Sequence, residues 1–157
     1  MRAYVPGNRR ALAELLADGH LTGPMPACAV TPALRDWYPE GDDEDLEYAA
    51  QSRAADLSLA LIAEDADPRR IVLAVDVPTE LDPGVDDLVG VYVTGFITLA
   101  DVAAVLIDAP AAVAAVLAAI ESLSGPSDEV PPEVEALDEH ELAWYAPEEL
   151  GDLVSGT

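Results

Sequence analysis

Four groups of residues in this sequence are of types that could do chemistry. His140 beside Glu141 is the strongest catalytic pair by type, because an imidazole next to a carboxylate can take and give protons near neutral pH. The lone cysteine, Cys28, would need a histidine base to act as a nucleophile, and His20 and His140 are the only two. Cys28 stands in the apolar run Ala27-Cys28-Ala29-Val30, which reads as a buried, inert position. Between Glu40 and Glu47 lie six carboxylates in eight residues. Convergence of Asp42, Asp43, Asp45 and Glu47 would hold a divalent cation. An EF-hand loop, however, alternates its acids around a glycine at the sixth position, whereas these acids are contiguous and Gly41 precedes them. Acids in a first helical turn accept orphan N–H groups and complement the positive end of the dipole, so the stretch reads as a helix start. Neither histidine has a second ligand at metal-binding spacing, and no metal or other cofactor is expected.

The fourth group points to binding. Both tryptophans occur in Trp-Tyr pairs ahead of a proline and an acid, as Trp37-Tyr38-Pro39-Glu40 and Trp144-Tyr145-Ala146-Pro147-Glu148. Such side chains join apolar area to a polar handle and favour pockets and interfaces. If the two segments meet, Arg35, Trp37, Tyr38, His140, Trp144 and Tyr145 form a ligand-binding groove, aromatic at the wall and polar at the edge. Otherwise each tryptophan packs over the end of an element.

Positioning these residues requires a fold, and the pattern predicts one. Ala3 to Val5 reads as a strand stopped by Pro6-Gly7. A helix capped by Asn8 follows, with Leu12, Leu15 and Leu16 on its apolar face and Gly19 at its end. Residues 27–30 read as a strand, and Thr31-Pro32 opens a short helix. The acidic stretch starts a long helix to about Glu64, with Leu46, Ala49, Ala50, Leu57, Ala60 and Leu61 inward. Strands are expected at 71–77, from Val89 towards Ile97, at 102–107 and at 141–145. Ala111 to Glu121 reads as a helix, and Pro147 opens a terminal one. Residues 122–139, rich in Pro, Ser and acids, read as an exposed, flexible acidic connection. The run from Val102 to Ile120 is long enough to span a membrane, but Asp108 and Pro110 in its middle make strand, turn and helix the better reading. The class is α+β, one domain over 1–157: a two-layer sandwich of a mostly antiparallel sheet packed by helices, with a ferredoxin-like arrangement as the leading topology.

Composition limits function. The net charge is −24, with no lysine; residues 1–70 carry 13 acids and all seven arginines, and residues 71–157 carry 18 acids and no Lys or Arg. Such a field repels phosphate backbones and anionic lipid, so neither direct nucleic-acid binding nor membrane association is expected. Lysine-based catalysis and a phosphate-binding P-loop are excluded outright. One cysteine, and no apolar leader in MRAYVPGNRRALAELL, make the cytoplasm the expected compartment.

Taken together, MRAYVPG, AVTPALRDWYPEGDDEDLEYAA, RRIVLAVDVP and DEHELAWYAPEEL resemble a family of small acidic proteins of unknown function from high-GC Gram-positive bacteria (actinobacteria). The resemblance covers most of the chain and implies no activity, cofactor or catalytic residue. The sequence therefore reads as a non-enzymatic acidic protein-interaction or regulatory module with a basic protein partner, a homo-oligomer being a further option. The alternative is a small ligand-binding protein or enzyme built on the two Trp-Tyr segments.

Overall fold

The computed structural model describes residues 2–65, 68–77, 82–83, 89–123 and 130–155. In chain order they form β1 (Arg2–Gly7), α1 (Arg9–Asp18), β2 (His20–Thr22), β3 (Met25–Cys28), α2 (Pro32–Trp37), α3 (Asp43–Leu61), β4 (Ile71–Asp76), β5 (Asp82–Pro83), β6 (Gly90–Val93), β7 (Phe96–Thr98), β8 (Val102–Asp108), α4 (Val113–Ser122), α5 (Pro132–Glu135), β9 (Leu142–Tyr145) and α6 (Leu150–Ser155). Local chemistry sets the helix starts. Asn8 Oδ1 accepts from the Ala11 N–H at 2.8 Å, and Thr31 Oγ1 from the Leu34 N–H at 3.1 Å. At α3, Asp42 Oδ1 accepts from the Asp45 N–H (2.8 Å) while Asp45 Oδ2 accepts from the Asp42 N–H (3.2 Å). The acidic stretch is thus a reciprocal helix cap, a form that satisfies two orphan donors at once.

Seven strands form one sheet in the order β5-β6-β3-β1-β4-β8-β9, every neighbouring pair antiparallel. β2 and β7 form a separate ribbon. The α+β class and the antiparallel sheet packed by helices are as expected. Of the ferredoxin-like arrangement the sheet keeps one crossover: β3 and β4, both antiparallel to β1, flank it and are joined through α2 and α3. Helices cover both faces of the sheet. Leu12 and Leu15 of α1 and Leu150 of α6 pack with Ile71, Leu73, Val75, Val105 and Ile107. Leu34 of α2 and Leu46, Ala50 and Ala54 of α3 pack with Val72, Ala74, Ala104 and Leu106. Double coverage explains why β4 and β8 are apolar at successive positions rather than alternate ones. Each large aliphatic side chain fully buried this way contributes about 1.5–3 kcal/mol.

Four expectations need correction. Pro6 and Gly7 continue β1 rather than ending it: β3 pairs with β1 at Tyr4–Cys28, so Pro6 lies where β1 has a single neighbour and its missing N–H removes no second ladder bond. The apolar face of α3 differs from the expected one. Ala54, Ala55, Ser58 and Leu59 are buried, whereas Ala49, Ala60 and Leu61 are exposed. The Ser58 hydroxyl turns inward, donating to the Gly7 carbonyl (2.8 Å) and accepting from the Ile71 N–H (3.1 Å). The Val89–Ile97 strand is two strands, because Gly95 at φ 78° turns the chain away to pair with β2. In the expected acidic connection, residues 132–139 form α5 and a 3-10 turn, with Val134 and Leu137 buried against Leu59, Ile62 and Val116; residues 124–129 lie outside the described residues. Among the described residues no helix is long and apolar enough to cross a membrane.

Candidate binding cleft beside α3

α3 and the turn leading into β9 enclose a cleft of about 260 Å³. Helical spacing sets Tyr48, Gln51, Ser52 and Ala55 along one wall. Asp138, His140, Glu141 and Leu142 form the other, held in place because Leu137 is fully buried beneath them. Arg70 lies at the base, 4% exposed, and Asp108 behind it is 2% exposed. Asp108 Oδ2 accepts from the Arg70 backbone N–H at 2.9 Å and from Nε at 2.8 Å, and Oδ1 accepts from Nη2 at 2.9 Å. Nη2 also donates to the His140 carbonyl (2.8 Å) and the Leu137 carbonyl (3.4 Å). One guanidinium thus ties the start of β4, the end of β8 and the start of β9 together.

That arrangement sets the electrostatics. The Arg70 charge is answered by Asp108 and by two carbonyls. Asp138 and Glu141 are exposed on the wall. Half-buried Asp56 has its pKa raised, chiefly by burial and further by Asp138, with Arg70 and Arg53 opposing. The groups lining the cleft thus set two exposed carboxylates, Asp138 and Glu141, against one arginine that is already paired with Asp108.

The structure scatters the six residues of the sequence-derived groove. His140 lines this cleft together with Glu141. Arg35 pairs with Asp43 at 3.2 Å and lines a different concavity of about 220 Å³, with Arg2, Tyr4 and Glu47. Tyr145 packs on the opposite sheet face and lines a third, smaller one with Arg9 and Leu153. Trp37 and Trp144 are 69% and 63% exposed, and Trp37 meets Tyr38 with ring centroids 6.3 Å apart. The two Trp-Tyr segments do not wall one groove. Cys28 is buried against the α3 side of the sheet. His20 Nδ1–H donates to the Asp18 carbonyl, and the ring meets Phe96 edge-on at 4.9 Å in the β2–β7 ribbon. Among the described residues no group of three or more His, Cys, Asp or Glu could hold a metal ion.

Sequence reasoning missed Arg70, Asp108, Tyr48, Gln51, Ser52, Asp56 and Asp138. One signal was present: an arginine immediately before one wholly apolar strand and an aspartate at the end of another, Arg70-Ile71 and Ile107-Asp108, mark charges placed to meet across paired strands.

Comparison with known proteins gives a family without a role. The model of a family of unknown function, DUF6912, matches residues 1–154, and the chain belongs to that family. No curated protein and no solved structure matches.

Proposed function

We propose that this member of DUF6912 is a non-enzymatic interaction module that recognises a basic protein partner. The observation that carries the reading is the surface: exposed Trp37, Tyr48 and Trp144 are set in a chain of net charge −24. Arg2, Arg10, Arg35 and Arg70 are already engaged by Asp76, Glu14, Asp43 and Asp108, which leaves the acids in large excess. A one-signed field speeds encounter with an oppositely charged partner, and exposed aromatics supply contact area of the kind that anchors interfaces. That Arg35 and His140 line different concavities favours this reading over an enzyme built on the two Trp-Tyr segments. A lone cysteine, buried, agrees with a single domain acting in the cytoplasm. The test is capture from native lysate on the tagged chain at low and high salt, with identification by mass spectrometry. Basic proteins held at low salt and released at high salt support the reading. Capture with no enrichment of basic proteins at either salt overturns it.

A further inference from the structure

We propose that the cleft between α3 and the 137–142 turn receives a cationic side chain, the guanidinium or ammonium of a basic partner segment that lies along β9. The inference rests on the reading of the chain as an acidic interaction module and gives that module its site. Charge selects the ligand. Asp138 and Glu141 are exposed on the wall, and the Arg70 charge is already taken up by Asp108 and by the carbonyls of Leu137 and His140. An anion would meet the exposed carboxylates of Asp138 and Glu141, whereas a cation would pair with them. Tyr48, 51% exposed on the α3 wall, adds an aromatic ring of the kind that attracts a cation.

The setting selects the form of the ligand. At about 260 Å³ the cleft lies just below the size of small-molecule and cofactor sites and suits one side chain. β9 is the last strand of the sheet, and its outer edge has no partner strand among the described residues. Leu142 pairs with Asp108 and lines the cleft; Trp144, opposite Leu106, points to the same face about 7 Å further along. A segment added to this edge therefore passes both the exposed indole and the cleft, with main-chain bonds giving affinity and the cleft giving selectivity. A second copy of this chain is a poor occupant, because it brings the same −24 and no lysine.

The experiment is a titration of the isotope-labelled full chain with a blocked Gly-Gly-Arg-Gly-Gly peptide, and with its Gln counterpart, at low salt, read by amide chemical shifts. Saturable shifts confined to residues 48–55 and 137–144, seen with the Arg peptide alone, are expected. Asp138→Asn/Glu141→Gln weakens binding by about five-fold, as loss of two exposed charge contacts should. Asp36→Asn/Glu40→Gln, with the same charge change on exposed positions outside the cleft, leaves binding within about two-fold. No binding, shifts spread over other acids, or equal loss in both variants overturns the assignment. Lysate capture separates this failure from that of the module itself. If Asp138→Asn/Glu141→Gln captures the same basic proteins as the parent chain, the module stands and the cleft falls. If the parent captures none, both fall.

Discussion

Replacing Asp108 by Asn tests how the cleft is held. Its carboxylate accepts three hydrogen bonds from Arg70, at 2.8, 2.9 and 2.9 Å, with both residues almost fully buried. An amide presents one acceptor and turns an N–H₂ towards a guanidinium that only donates, so a buried charge is left uncompensated. Removing one partner of such a pair destabilises by about 3–5 kcal/mol, against a total stability of about 5–15 kcal/mol. At about 2–4 °C per kcal/mol for a chain of this length, Tm falls by about 6–20 °C. Urea unfolding followed by far-ultraviolet circular dichroism measures the loss directly. The double variant Arg70→Met/Asp108→Leu removes both charges and keeps the volume. It should be more stable than Asp108→Asn alone, yet about 1–3 kcal/mol below the parent, because the Leu137 and His140 carbonyls lose their donor. An Asp108→Asn variant within about 1 kcal/mol of the parent would refute the reasoning, since the buried guanidinium would then not depend on this carboxylate.

Three further outcomes follow from the same geometry. Ser58→Ala orphans the Gly7 carbonyl and the Ile71 N–H in the interior and should cost about 2–4 kcal/mol in denaturant unfolding. Gly23→Ala would place a Cβ 2.5 Å from the Val93 carbonyl oxygen, against backbone that cannot swing aside, and should destabilise by about 1–3 kcal/mol. For Asp56, whose pKa is raised above the ordinary 3.8 chiefly by burial, the charged form is the one the fold disfavours. Its contribution to stability is therefore present below pH 3.8 and lost as pH rises through the folded value, so Asp56→Asn should raise Tm at neutral pH with an advantage that vanishes in acid. A Tm difference between the two chains that does not change with pH would refute the raised pKa, and an advantage that grows in acid would show the sign to be wrong.

Local signals in the sequence were legible wherever one residue type has one physical use. Asn8 and Thr31 cap the helices they were expected to open, Gly19 ends α1, and the acidic stretch is a helix start. The strand β4 was legible because an unbroken apolar run fits a strand buried on both faces, as it is here. The inward face of α3 was not, because Ala54 to Ala60 is apolar nearly all round and the residue that sets the phase is a serine bonded to backbone from two other elements. The site was illegible for the same reason: Arg70, Asp108 and the His140 carbonyl meet through pairings 38 and 70 residues apart, which no local spacing reveals. The Trp-Tyr echo was a true regularity of sequence that the topology sends to separate places.

The central claim is that a basic partner is recognised by an acidic, aromatic surface. Its most direct test is the dissociation constant of one captured partner, measured across a range of salt concentrations. An affinity that falls steeply as salt rises, by the screening of many exposed charges, is the predicted result. An affinity unchanged by salt would contradict the account.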